Sequence, residues 1–219
     1  MQARPLGDAS REAVTVSESA RASARDAPVN DEMRRARAAE YMLLANLLAR
    51  APTAELLAGM AAIRGDASPL GMAHVRLADA AAKISADDAS REFFQLFVGV
   101  GRGEIVPYAS FYLTGFLHER PLARVREDMG RLGIERQAGV FEPEDRASTL
   151  FEIMAGLVRG DFDTEPGEAD TFFARHIAPW APRLMADIGV APSARLYTHI
   201  AHYGSVWLGI EQDAMALPE

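Results

Sequence analysis

Residues 37–52 read RAAEYMLLANLLARAP, and this stretch decides the fold class. Its large apolar residues Tyr41, Leu44 and Leu48 recur at steps of three and four, the spacing of one face of an α-helix. Pro52 ends the run, because proline has no backbone N–H and fits poorly inside a helix. The stretch therefore predicts an amphipathic helix that packs against a hydrophobic core.

The same helical spacing recurs toward the C-terminus. Thr53 and the pair Ser68–Pro69 are start signals, since a hydroxyl caps free N–H groups and proline is tolerated in the first turn. Apolar residues at helical spacing mark six further segments: Leu70–Ile84, Phe93–Phe97, Leu122–Leu132, Leu150–Leu157, Phe172–Trp180 and Leu196–Trp207. No stretch alternates apolar and polar residues as a strand does. The sequence predicts an all-α, single-domain helical bundle.

Composition restricts the function. The 219 residues carry a formal net charge of −8 and no cysteine, which argues against binding of nucleic-acid backbones and excludes disulfides and thiolate metal sites. No apolar run is long enough for a membrane span, and the first thirty residues lack the apolar core of a secretory signal. We therefore expect a cytoplasmic protein without a membrane span.

The N-terminal segment differs from the rest. Residues 1–30 mix charged and small residues with few large apolar ones, so they cannot bury enough surface to offset the entropy of ordering. We predict a disordered tail over residues 1–30 and a helical domain over 31–219. Arg34 and Arg35 resemble the start of an export leader, but Arg37 and Glu40 interrupt the apolar run that such a leader needs.

Signatures of catalysis are weak. Gly99, Gly101 and Gly103 follow a Phe-rich helix instead of a strand, so a flexible helix terminator is favoured over a phosphate loop. His199 and His202 share one face of the last helix and could offer two imidazoles to a metal, but no third ligand is indicated. We expect no catalytic residue, no metal and no cofactor.

Two short segments about thirty residues apart are better candidates for a binding site. In the first, Tyr108 and Tyr112 offer flat apolar walls with hydroxyl tips, on either side of Ser110. In the second, Glu142 and its neighbours surround Pro143, which predicts a helix that begins there. A carboxylate at this place either caps the helix or faces a groove, where it would accept an arginine of a ligand.

Further along the chain, His176 and Trp180 are four residues apart on one predicted helix face. They favour core packing with a hydrogen-bonded ring, and a place in a groove is the alternative. The helix that carries them is predicted to begin at Pro166 and to reach Trp180, with Pro179 and Pro182 breaking or kinking it.

The order of these features resembles the TorD/DmsD family of cytoplasmic chaperones for molybdoenzymes. The resemblance rests on five motifs and covers about residues 31–210: Glu40-Tyr41, Pro107-Tyr108-x-Ser110-x-Tyr112, Glu142-Pro143-x-Asp145, His176 with Trp180, and Leu196-Tyr197. It implies a chaperone, not an enzyme, that binds the twin-arginine leader or the apo form of a molybdopterin-dependent oxidoreductase. Such a chaperone assists cofactor insertion and delays export.

The resemblance also implies a peptide-binding region. Carried over residue by residue, it comprises Glu142, Pro143 and Asp145, with Tyr108, Ser110 and Tyr112 beside them. The family usually has histidine after the aspartate, and this chain has Arg146, which could pair with Asp145 or Glu142 and compete with a leader arginine. His176 and Trp180 complete the candidate site.

The partners expected are a molybdoenzyme catalytic-subunit precursor and its leader peptide. The chain could act as a monomer or a dimer. The alternative is a helical scaffold or regulatory interaction protein that binds no leader.

Overall fold

The computed structural model describes residues 18–136, 139 and 141–216, with side chains from residue 30 onward. Within these residues the chain forms ten α-helices, and β-structure is limited to one isolated bridge. The helices are α1 (Glu18–Ala49), α2 (Ala54–Ala61), α3 (Pro69–Ala81), α4 (Ala86–Phe93), α5 (Ala109–Thr114), α6 (Arg120–Arg131), α7 (Ala147–Arg159), α8 (Glu168–His176), α9 (Ala181–Val190) and α10 (Leu196–Met215). The prediction of an all-α fold is confirmed.

Side-chain hydroxyls cap the N-termini of α2, α3 and α4. The sequence indicates the first two of these caps. The Thr53 Oγ1 accepts the N–H of Leu56 at 3.2 Å, and the Ser68 Oγ accepts the N–H of Gly71 at 3.0 Å. The Ser85 Oγ does the same for α4. Each cap satisfies an N–H that has no partner inside its helix, so these helices begin where the hydroxyls stand.

The apolar face of α1 lies at the centre of the core, between α7 and α10. Tyr41, Leu44 and Leu48 are fully buried. The ring centroid of Tyr41 lies 5.5 Å from that of Trp207 and 6.2 Å from that of Phe151. Helix α10 also packs against α3 and α9, so one hydrophobic core joins the N- and C-terminal halves.

An ion pair fixes α1 against α10 at one end of this core. Arg37 donates to both carboxylate oxygens of the buried Glu211, at 2.8–2.9 Å, and the Tyr41 hydroxyl donates to the same carboxylate. Burial and the neighbouring carboxylate raise the pKa of Tyr41 well above its usual value. The polar side of α1 is therefore also bound to the bundle.

The start of α1 and the end of α8 differ from the sequence expectation. Helix α1 is described from Glu18, before the predicted start of the helical domain at residue 31. Residues 1–17 lie outside the described residues, and the disordered tail over residues 1–30 stays a prediction. The prediction of one helix from Pro166 to Trp180 was wrong at both ends, because α8 spans Glu168–His176 and a separate helix α9 follows. Pro182 lies in the first turn of α9, where its missing N–H costs nothing.

The start of α7 is a second correction. The prediction of a helix beginning at Pro143 was wrong, because α7 begins at Ala147 with Arg146 as its N-cap residue. The N–H of Ala147 donates to the Pro107 carbonyl at 2.8 Å. The chain just before α7 therefore pairs with the chain just before α5 and does not form a helical turn.

None of the described helices combines the length with the hydropathy that a membrane span requires.

Candidate peptide-binding site

The two segments singled out in the sequence lie side by side. Tyr108 and Arg146 form an isolated antiparallel bridge, in which the N–H of Ala109 donates to the Asp145 carbonyl at 2.9 Å. The N–H of Ala147 closes the pair on the Pro107 carbonyl. The starts of α5 and α7 are thus held together by backbone hydrogen bonds, which sequence spacing alone could not indicate.

Asp145 lies beneath this bridge and is fully buried. Its Oδ2 accepts the N–H of Ser110 at 2.8 Å and also the Ser110 hydroxyl. Ser110 is itself buried in the first turn of α5. The carboxylate therefore satisfies an N–H at the start of α5 that has no intrahelical partner, and it does not reach the surface.

Glu142 is the carboxylate that faces outward. Half of its side chain is exposed (50%), and its Oε2 accepts the Tyr108 hydroxyl. Burial and the Glu142 carboxylate raise the pKa of Tyr108 well above its usual value, so the phenol stays a hydrogen-bond donor at neutral pH. This arrangement holds Glu142 in a defined position at the surface.

Arg146 lies between Glu142 and the end of α1. Its Nη1 is 3.4 Å from the Glu142 Oε2, and its Nη2 donates to the carbonyls of Leu48 at 3.2 Å and Ala49 at 3.4 Å. The last carbonyls of a helix have no intrahelical partner and carry partial negative charge. Arg146 therefore stabilises the C-terminus of α1 while it pairs with Glu142; it makes no ion pair with Asp145 among the contacts of the described residues.

An open depression of about 560 Å³, the cleft, adjoins Glu142. Its described lining is mainly apolar and aromatic: Tyr108, Leu117, His118, Gly139, Phe141, Glu142 and Pro143. Phe141 is 89% exposed, and Phe116, next to the lining residue Leu117, is 70% exposed. Large apolar side chains exposed together at a cleft are typical of surfaces that bind other chains.

A second, more enclosed depression of about 270 Å³ is also lined by Glu142. Its lining combines apolar side chains with mostly acidic polar ones: Met129, Ile134, Glu135, Arg136, Glu142, Glu144, Thr149, Glu152, Ile153 and Phe162. Part of this negative charge is already paired. The Glu144 carboxylate accepts a hydrogen bond from Arg126 Nε at 2.9 Å and lies 3.5 Å from Arg136 Nη1. Glu142 is the residue that both depressions share.

Tyr112, His176 and Trp180 form a separate group. The ring of the half-buried Tyr112 packs on Trp180 with centroids 5.5 Å apart, and the indole N–H of Trp180 donates to the His176 carbonyl at 2.6 Å. The buried His176 contacts the Asp128 carboxylate at 2.6 Å. Burial lowers the pKa of His176, and Asp128 partly offsets this effect. His176 and Trp180 are thus core residues with hydrogen-bonded rings.

The predicted site residues therefore fall into four places. Tyr108, Glu142 and Pro143 line the open depression, Ser110 and Asp145 are buried beside it, and Arg146 connects it to α1. Tyr112, His176 and Trp180 form the separate group in and next to the core. The apolar lining residues Leu117 and Phe141 were not predicted from the sequence. Phe141 directly precedes Glu142-Pro143, and a large aromatic residue next to this motif is the signal that indicates it.

The remaining candidates lie away from this group of residues. His199 lines a depression of about 820 Å³ between α3, α4 and the start of α10, where the buried Glu92 accepts the N–H groups of Arg195 and Tyr197 at 2.7 Å. His202 is exposed. Among the described residues no three His, Asp or Glu side chains are placed to hold a metal ion. Gly103 packs against the π-helical turn after α4.

The fold and the site define an all-helical protein with an open surface cleft lined mainly by apolar residues, and comparison with known proteins gives the family. A putative redox enzyme maturation protein from Archaeoglobus fulgidus has the same fold, with a TM-score of 0.53 and 16% identity over 78% of this chain and 93% of that one. Residues 64–186 match the model of the family described as nitrate reductase delta subunit. The chain belongs to this family.

Curated relatives agree with this assignment. The chaperone protein TorD of Vibrio cholerae serotype O1 (El Tor Inaba) is 26% identical over 142 residues, which are 60% of this chain and 63% of the relative. TorD of Aliivibrio fischeri is 27% identical over 106 residues, 44% of this chain and 49% of the relative. The chain thus spans less than two thirds of either relative's length. The resemblance to TorD-type chaperones indicated by the sequence is confirmed.

Proposed function

We propose that this protein is a cytoplasmic chaperone for a molybdopterin-dependent oxidoreductase, and that it is not an enzyme. On this proposal it binds the twin-arginine leader or the apo form of the catalytic subunit, assists cofactor insertion and delays export. Membership of the nitrate reductase delta subunit family and the relatives named chaperone protein TorD support this role.

The position of Glu142 is the observation that supports the proposed leader binding. Its half-exposed carboxylate stands at the edge of an open cleft that Tyr108, Leu117 and Phe141 line with apolar surface. A twin-arginine leader has the matching pattern, a cationic pair followed by an apolar run. Apolar contacts would supply most of the affinity, and the carboxylate would orient the peptide.

The proposal requires that Glu142 contributes to peptide binding without supporting the fold. We expect Glu142→Gln to weaken binding of a synthetic leader peptide about tenfold, because a charge-assisted hydrogen bond contributes roughly 1.5–3 kcal/mol when partly desolvated. Isothermal titration calorimetry measures this, and thermal unfolding should be unchanged within a few degrees. The matched control is Glu152→Gln, a rim residue of the second depression, for which we expect less than about a twofold effect.

The client is identified by affinity purification of the full chain from its own cells, followed by mass spectrometry. A molybdoenzyme precursor that retains its leader is the expected product. Co-purification of unrelated proteins alone, together with no measurable leader affinity, would instead favour a scaffold or regulatory interaction protein.

A further inference from the structure

The two oxygens of the Glu142 carboxylate are not equivalent. Both contacts that the structure gives this carboxylate within the described residues use Oε2: the hydroxyl of Tyr108 donates to it, and Arg146 Nη1 lies 3.4 Å away. The side chain is nevertheless half exposed beside the cleft. Oε1 is therefore the oxygen left for a partner.

Arg146 is held in place by a second set of contacts. Its side chain is only 16% exposed, and its Nη2 donates to the Leu48 and Ala49 carbonyls at the C-terminus of α1. The last turn of α1 contains no basic residue of its own. Because Arg146 donates to these terminal carbonyls, an arriving cation would have to break these bonds as well to displace it.

The number of free oxygens decides which cation a carboxylate prefers. A guanidinium gains its advantage over an ammonium group by donating two parallel hydrogen bonds to both oxygens of one carboxylate. Each carboxylate oxygen has two lone pairs; on Oε2 the Tyr108 hydroxyl uses one, and the guanidinium of Arg146, 3.4 Å away, blocks approach to the other. A client arginine is then left with Oε1, where a lysine can make the same single hydrogen bond. The positive charge of Arg146 weakens the attraction for either cation by a similar amount.

We propose that Tyr108 and Arg146 reserve one oxygen of Glu142, so that the site binds a cationic client side chain through a single hydrogen bond and distinguishes arginine from lysine only weakly. In this role Arg146 is a positioning residue that sets specificity through Glu142. The inference rests on the proposed function, since it concerns the same cleft and the same class of ligand. On this inference, a leader arginine does not displace Arg146. Arg146 stays in place and blocks one side of the Glu142 carboxylate.

The test compares two synthetic peptides on the full chain. One has an arginine pair followed by an apolar run, and the other has lysines in place of the arginines. For the unmodified protein we expect dissociation constants within about threefold of each other, and for Arg146→Gln a preference for arginine of about tenfold. Isothermal titration calorimetry gives the ratio, which a purely structural effect of the substitution would not change.

Matched variants separate specificity from stability. Arg126→Gln removes the same charge from an arginine that pairs with Glu144 instead, and its ratio should stay that of the unmodified protein. Arg146→Lys retains the charge and should restore a low ratio. Should Arg146→Gln fail to fold, Tyr108→Phe removes the other contact to Oε2 and should raise the arginine preference by itself.

Each outcome has a distinct meaning. An unchanged ratio in both Arg146→Gln and Tyr108→Phe, with peptide still bound, overturns the inference and leaves the proposed function intact. A strong arginine preference in the unmodified protein overturns it as well. If neither peptide binds the unmodified protein, leader binding itself is refuted, and the inference with it.

Discussion

At the scale of single residues, Glu142 and Asp145 have opposite environments although they are three positions apart. Asp145 is fully buried and accepts both the N–H and the hydroxyl of Ser110, whereas Glu142 is half exposed at the cleft. The bridge between Tyr108 and Arg146 causes the difference, because it turns Asp145 inward under α5. Because Asp145 caps a buried helix start, its carboxylate should contribute to the stability of the fold more than to binding.

We therefore expect Asp145→Ala to lower the free energy of unfolding by roughly 1–3 kcal/mol, since it leaves the Ser110 N–H without its partner in the interior. Urea unfolding followed by circular dichroism measures this loss. Ser110→Ala removes only the hydroxyl and should cost less. Weaker peptide binding in Asp145→Ala with undiminished stability would contradict this assignment and place Asp145 in contact with the ligand.

At the scale of elements, the glycine-bearing stretch after α4 has a structural role. Gly99 has a φ of +64° and ends the π-helical turn Phe94–Val98, and the N–H of Ile105 donates to the Leu96 carbonyl at 2.8 Å. A Cβ on Gly103 would lie 2.5 Å from the Leu96 carbonyl oxygen. The stretch thus folds back onto the preceding turn and leads directly into the segment that carries Tyr108.

Gly103→Ala should consequently destabilise the protein by about 1–3 kcal/mol, because backbone atoms must move to admit the methyl group. Gly209→Ala is the matched control, since its Cβ would meet nothing within 4 Å in the middle of α10. That substitution should raise stability by up to about 1 kcal/mol through helix propensity. Chemical denaturation of both variants checks the difference, and equal effects would show that the close approach at Gly103 relaxes easily.

At the scale of the whole molecule, acidity and the single apolar core have separate consequences. The core between α1, α7 and α10 provides the rigid frame on which the cleft is built. The formal net charge of −8 attracts cationic chains from a distance before any contact forms. On the proposed function, charge should therefore govern the association rate of a leader peptide, and apolar contacts in the cleft should govern its dissociation rate.

Association of a leader peptide with this protein should slow several-fold between low and high salt, as screening removes the long-range attraction. The dissociation rate should change much less. Stopped-flow fluorescence across a salt series gives both constants. A dissociation rate that carries most of the salt dependence would mean that direct ion pairs, and not the overall charge, control binding.

The sequence by itself determined the helical class, the starts of α2 and α3, and the family resemblance. These features depend on short-range rules: the spacing of Tyr41, Leu44 and Leu48, and the hydroxyl caps at Thr53 and Ser68. Tyr108 and Glu142, which the family motifs contain, line one cleft, and their role in binding stays a prediction.

Only the tertiary structure decided which candidate residues are accessible. The burial of Asp145, the start of α7 at Ala147 and the contact of Arg146 with the end of α1 all depend on partners 35 to 98 positions away in the chain. Local spacing carries no information about such partners. They arise because buried backbone groups must find hydrogen bonds wherever the packed helices bring donors and acceptors together.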